Sequence, residues 1–504
     1  MHQKTPKHKN AFPRAVSQWS MVNGQWSRRA GQLSLQLIIF AAVGLILITG
    51  FASWTETLLT LSLRDLNKRQ AFMIAEGGIE YYRWHLAHNQ VDYTDGTGGA
   101  GPYIHNYFDK DAKLIGSFEL TITPPPEGST VVTIKSVGKV IADPSVSKTI
   151  TVKLGINSFA LFSVLANAND MQFGIGTEVF GPIHSNGGIR FDGLAHNLIS
   201  SAVSEYDDPS HGGQNEFGVH THVDPQDPLP PDAVPERSDV FMSGRSFPVP
   251  AIDFTAITQT LANLKTKAQA SSTYYASSSA YGYDLVLATS GIYSLYKVTA
   301  LHDTPNGCTN TSNEDGWAMW SIGSETFVAT STIPNGGVIF VEDDLWVRGA
   351  IDKKRLTVAA GRFPDNPSTW ANITVNSSTL YTNYNGSDTL GIIAQNNFNV
   401  GLFSEDVLRI DGGIVAQHGR LGRHYYSPPN DQNDSNKCGP TVVRQQITLY
   451  GSIISDEGYG FGFEDGTGYQ DRIIIYDANL LNSPPPDFPL LSTDFAQLSW
   501  DETQ

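Results

Sequence analysis

The residues that could do the most chemistry are three histidines. His211, His220 and His222, with Asp224 beside them, could gather a metal ion, because a His-x-His pair on a strand turns both rings to one face. They fall within residues 204–250, which carry eight prolines and many acids. That composition describes a surface excursion from the body of the protein, and solvated loop histidines are its plainer reading. The adjacent Asp343 and Asp344 could flank a glycosidic bond as catalytic carboxylates do, although neighbouring acids on a turn more commonly cap strands or hold Ca²⁺ loosely. The loop from Glu464 to Asp471 is rich in oxygen ligands for Ca²⁺ but lacks EF-hand spacing. His184 and Ser185 are neighbours on one run, so they point to opposite faces and form no dyad; with Asn186, Gly187 and Gly188 they read as a polar ladder at a corner. No Walker loop, nucleophile elbow or HExxH motif occurs. No catalytic residue, cofactor or metal ligand is assigned, and the chain is not expected to be an enzyme.

The two cysteines, Cys308 and Cys438, both lie in turn-rich polar segments. In an exported chain they are expected to pair, since the bond closes a long loop and removes two exposed thiols.

The elements that must carry these residues begin with an anchor. Residues 1–31 hold six Lys or Arg and no acid, and residues 30–55 hold no charge at all. About 20 apolar residues suffice to cross a bilayer. Only Arg64, Lys68 and Arg69 follow soon after the span, so the N-terminus is expected in the cytoplasm and the rest outside. A cleaved secretory signal is the alternative, but its apolar core is shorter and ends in a small-x-small site. The chain's formal charge of −17 becomes −23 beyond this basic leader, which contributes +6, and so acidic a body argues against a nucleic-acid partner held in a basic groove.

The helical pattern continues past the span on two seams. One runs through Leu59, Leu63, Leu66, Met73, Gly77, Tyr81 and Trp84; the other through Phe72, Ala75, Ile79, Tyr82 and Leu86. One is expected to pack on the protein's own sheet and the other on neighbouring helices. Three alternating runs at 117–123, 130–140 and 147–154 then predict a three-stranded antiparallel meander. From residue 157 short apolar groups recur every 7–17 residues or so, as at Ile183, Val338, Leu356, Leu390, Phe398, Ile414 and Ile453. Strands that short and that irregularly spaced predict the faces of a right-handed parallel β-helix, with a β-sandwich as competitor.

Arg28-Arg29-Ala30-Gly31 before the apolar span, and Ala71-Phe72-Met73-Ile74-Ala75-Glu76-Gly77 about forty residues later, resemble type IV pilins, in particular the PilX-type minor pilin and pilus-assembly family. The resemblance implies that prepilin peptidase removes the leader between Gly31 and Gln32, and that Phe72, Ala75, Glu76 and Gly77 close and pack the long first helix. The chain departs from the major-pilin pattern in carrying Gln32 at the first mature position and Gln36 where a glutamate is usual. That glutamate pairs with a neighbour's terminal ammonium inside an apolar bundle; Gln36 cannot, which the resemblance associates with a tip or initiating subunit. The His184 element and the close at residues 473–489 extend the resemblance to uncharacterised pilus-associated proteins.

The expected organisation is a leader at 1–31, a transmembrane pilin-like helix at 32–90, a small antiparallel β domain at 91–156, a parallel β-helix at 157–482 with an insertion at 204–272, and a Pro-rich tail at 483–504. The expected role is structural: a membrane-anchored filament component that initiates assembly or presents an adhesive surface at the tip. Its expected partners are other pilin subunits, the assembly machinery, prepilin peptidase, the inner membrane and a surface ligand or carbohydrate. A surface-anchored carbohydrate-active enzyme and a non-filament adhesin are the alternatives.

Overall fold

The structure is a computed structural model that describes residues 30–126, 129–168, 170–210, 212–305, 308, 321–428 and 438–503. The leader, apart from Ala30 and Gly31, lies outside the described residues, as does His211. The chain divides into two units, Met1–Gln70 and Ala71–Gln504.

Helix α1, Ala30–His88, belongs to the first unit up to Gln70. In that stretch Leu33, Leu37, Phe40, Ile46, Phe51, Leu59, Leu63 and Leu66 are all exposed. Among the described residues, α1 is the helix long and apolar enough to cross a membrane, by length and composition.

In the second unit the end of α1 lies on an antiparallel sheet. Its strands are β1 (Tyr103–Phe108), β2 (Leu114–Thr123), β3 (Val132–Val140), β4 (Ser147–Ser158) and, beside β4, the C-terminal strand Leu490–Thr503. Ala71, Ala75, Ile79, Tyr82 and Leu86 recur at steps of three and four, so with Ile74 they fall on one helix face and bury against Phe118, Leu120, Ile134, Ile150 and Val152. This is the second seam of the sequence pattern; Met73 and Trp84 of the first seam are exposed. The approach is close because each side contributes a glycine, Gly138 from the sheet against Ala71 and Ala75 and Gly78 from the helix against Ser136 and Phe118. A Cβ on Gly138 would lie 2.1 Å from the Ala71 carbonyl oxygen and 2.5 Å from the Ala75 nitrogen, and one on Gly78 would lie 2.4 Å from the Ser136 hydroxyl.

Two expectations need correction here. The meander has five strands rather than three, because β1 joins one side of it and the chain's end the other. The supposed Pro-rich tail is therefore largely a strand: Trp500 pairs with Val152 and Glu502 with Ile150. Its alternation was masked by Asp494, Ser499 and Asp501, which are tolerated because this is an edge of the sheet.

The rest is a stack of parallel coils. One inward row runs Ile339, Val358, Ile392, Ile414, Ile453, Val164, Ile183, Ile199, each in register with the next and each buried. The order is not that of the chain. Coils ascend from residue 337 to residue 476, and the coil that follows in space begins at Val164. A second face crosses the same join where Phe173 stacks on Tyr459, ring centroids 5.2 Å apart; a third crosses it where Ile474 pairs with Val179. Entering from β4, the chain thus starts in the middle of the stack and winds to one end at Arg245–Ser246. It then returns along the outside as helix α2, Thr255–Ala270, and winds from the other end back to the middle.

Helix α2 covers an outward row. Phe340, Ala359, Ile393, Val415, Ile454 and Leu165 are successive register partners, and they bury with Leu261, Leu264 and Ala268. The row then turns polar, continuing as His184, Ser200 and Ser246. The insertion expected at 204–272 is also corrected: Val219 and His220 stack on Ile189 and Arg190, and Arg245 and Ser246 on Ile199 and Ser200, so the segment completes coils. Its prolines obscured strands only two residues long. At the opposite end Tyr283–Ala288, Ile292–Leu301 and Ile322–Thr332 form antiparallel pairs on the first coil, which the parallel pattern did not anticipate.

Gly138→Val would push the helix off the sheet and is expected to cost at least about 2 kcal/mol in denaturant unfolding, whereas Gly460→Ala, with open space where its Cβ would stand, should stay within about 0.5 kcal/mol.

Candidate functional site

A cleft of about 340 Å³ opens where that antiparallel end joins the first coil. Register sets its chemistry: Asp284 stands opposite Trp346, Arg348 opposite Val286, and Glu325 opposite Val298. Arg348 Nη2 donates to Asp284 Oδ2 at 2.8 Å and to Glu325 Oε1 at 3.3 Å. Asp284 is fully buried, and this desolvation, added to by Glu325 and opposed by Arg348, pushes its carboxyl up to about 7. The remaining wall includes His302 and Phe403, whose rings lie 4.0 Å apart, with Asn376 and Ser377. The two carboxyl groups are bridged by the one Arg348 nitrogen. Sequence reasoning missed this group, because residues 284, 325 and 348 have no spacing that marks them.

The predicted site residues are dispersed. Gln36 is an exposed position of α1, and Gly31 and Gln32 fall in its first turn. Phe72 packs edge-on against Trp500, centroids 5.8 Å apart, Ala75 lies against Gly138, and Gly77 makes room for the ring of Tyr107. Glu76 does not share in that packing; it is exposed, on the face of α1 turned from the sheet. Asp343 accepts from the Ser278 amide and hydroxyl, both at 2.7 Å, and Asp344 accepts from the Asn372 amide at 2.7 Å. Both carboxylates pair with Arg362, so they tie a corner of the stack together. Asp465 accepts from Thr467 and from the Tyr425 hydroxyl, closing its own turn. His184 is buried between Ser200 and Asn186, and Asn186 holds the backbone of Ile252 where the chain leaves for α2.

His220 and His222 do come together, but with Asp208 rather than Asp224. Desolvation holds His220 below its ordinary value. Burial works against Asp208, yet the hydrogen bonds from Ser210 and the charges of His220 and Arg190 hold it below the usual carboxylate range.

Cys308 and Cys438 form a disulfide across 130 residues, buried with Leu402, Tyr426 and Val442.

No family model matches the chain, and no curated protein matches it. Among solved structures, the crystal structure of the competence-associated pilin ComZ from Thermus thermophilus is similar at 13% identity, over 87% of this chain and 98% of that one, with a TM-score of 0.33. A likeness of that degree is too slight to assign a role.

Two outcomes are expected. Between the ordinary carboxylate value and about 7, folded Asp284 keeps a proton that the unfolded chain has released. Stability should therefore fall as pH rises through that window, and Asp284→Asn should flatten the fall, read by denaturant unfolding at a series of pH values. Replacing both cysteines by serine should lower unfolding free energy by about 2–5 kcal/mol, measured under non-reducing conditions.

Proposed function

We propose that this chain is a structural, non-enzymatic component of a type IV pilus or related filament, of the PilX-type minor pilin class. The observation that carries the reading is the division of labour along α1. Its later turns spend one face on an antiparallel sheet, while its first turns are apolar and exposed over the length of a bilayer crossing. Such a surface is stable only among lipids or other apolar helices.

In this reading the N-terminus lies in the cytoplasm and the coil stack outside the cell, where a disulfide persists. Prepilin peptidase cuts between Gly31 and Gln32. Gln36, unable to form the ion pair of a shaft subunit, suits a tip or initiating position among other pilin subunits. The coil stack then serves as an adhesive surface for a ligand or carbohydrate.

Mass spectrometry of protein isolated from native membranes tests this. An N-terminus at Gln32 and co-purification with pilin subunits are expected. A chain that retains residues 1–31 and associates with no pilin would remove the reading.

A further inference from the structure

We infer that Asp208, His220 and His222 form a tetrahedral binding site for a divalent transition metal, with Zn²⁺ the best fit. The inference is independent of the pilus reading.

Two different pieces of chain deliver the ligands. Asp208 follows the strand Glu205–Asp207, which hairpins with Asn215–Phe217. His220 ends the strand Val219–His220, in register with Arg190 of the coil beneath. His222 follows two residues on, so both rings turn to the same side. The hairpin is seated by Tyr206, whose ring occupies the space a Cβ would need on Gly188, at 2.1 Å.

The ligand atoms are disposed as a metal would require. His220 Nε2 lies 3.2 Å from His222 Nε2 and 3.3 Å from Asp208 Oδ2, and His222 Nε2 lies 3.8 Å from Asp208 Oδ2. Bonds of about 2.0–2.1 Å to a tetrahedral centre place ligands about 3.3–3.4 Å apart. The same bonds in an octahedron place adjacent ligands only about 2.9 Å apart, so the spacing favours the tetrahedral ion. Imidazole nitrogen with one carboxylate oxygen is a donor set suited to Zn²⁺. The fourth position is left to water.

Hydrogen bonding alone serves these atoms poorly. A single proton on His220 Nε2 can go to His222 or to Asp208, not to both. Asp208 and His220 are fully buried, and Asp208 Oδ2 has no hydrogen-bond partner. A buried carboxylate oxygen in that state is costly, and one cation facing all three atoms removes the cost. The other Asp208 oxygen already accepts from the Ser210 amide at 2.9 Å and from Gln172 at 3.3 Å, which fixes the carboxylate's orientation. Asp170 and Glu216 act on the same cluster, and Arg190 is matched by Asp192 at 2.7 Å. The surroundings therefore carry an excess of negative charge. Bound there, the ion clips the hairpin to the coil stack and stabilises the folded chain by mass action.

The test uses the full chain in detergent, freed of metal with a chelator and titrated with Co²⁺ and then Zn²⁺. One equivalent of Co²⁺ should give the intense visible band of a tetrahedral site, and Zn²⁺ should displace it and raise the melting temperature. His222→Ala and Asp208→Asn should each weaken binding by at least about tenfold; His222 is partly exposed, so its variant should keep the far-ultraviolet spectrum of the parent. Failure to saturate at one equivalent, an octahedral spectrum, or binding unaltered in both variants would overturn the assignment.

Discussion

Register between coils, rather than continuity of the chain, holds the larger part of this protein together. A parallel coil satisfies its backbone by bonding to whatever strand lies above and below, and the row of Ile339, Val358, Ile392, Ile414, Ile453, Val164, Ile183 and Ile199 shows no change of character where the chain is interrupted. The join is made by ordinary means: Asn167 donates to Asp456 at 2.8 Å across 289 residues, and the Tyr476 hydroxyl donates to the Ala160 carbonyl across 316. Without it two half-stacks would each present an open row of unpaired backbone groups.

The same constraint explains the small sheet. Because the chain enters and leaves the stack at its middle, its two connecting segments emerge side by side, and they pair as β4 and the C-terminal strand. The stack is thereby an insertion between two adjacent strands of the sheet that carries the end of α1. Helix α2 is the other consequence. Winding outward to one end obliges the chain to travel back the length of the stack, and an amphipathic helix does this while covering a row of apolar outward residues. Beyond Leu165 the row changes to His184, Ser200 and Ser246, and the buried His184 ring is satisfied there by Ser200 and Asn186.

Most individual strands were legible in the sequence, since a short β-branched run followed by Gly, Asn or Asp marks a coil face without any knowledge of its partners. The helix seams were legible for the same local reason, whereas the close approach at Gly78 and Gly138 depends on the sheet they meet. Strands two residues long among prolines carry no such signature, and neither do the polar positions of the last strand. The clustered chemistry was the least legible. His220 and His222 announced themselves by spacing, but Asp208 is joined to them by a hairpin fold, and Asp284, Glu325 and Arg348 by strand register alone.

By itself the sequence determined what is local: an uncharged span at residues 30–55, a helix with two unlike faces, the coil-face runs, and a mainly β chain. Tertiary structure decided the order in which coils stack, the use of the final residues to complete a sheet, and which acid joins the histidines. The physical reason is common to all three. Helical and strand periodicities are written in neighbouring residues, whereas register across the join pairs Val164 with Ile453, and nothing near either residue records the other.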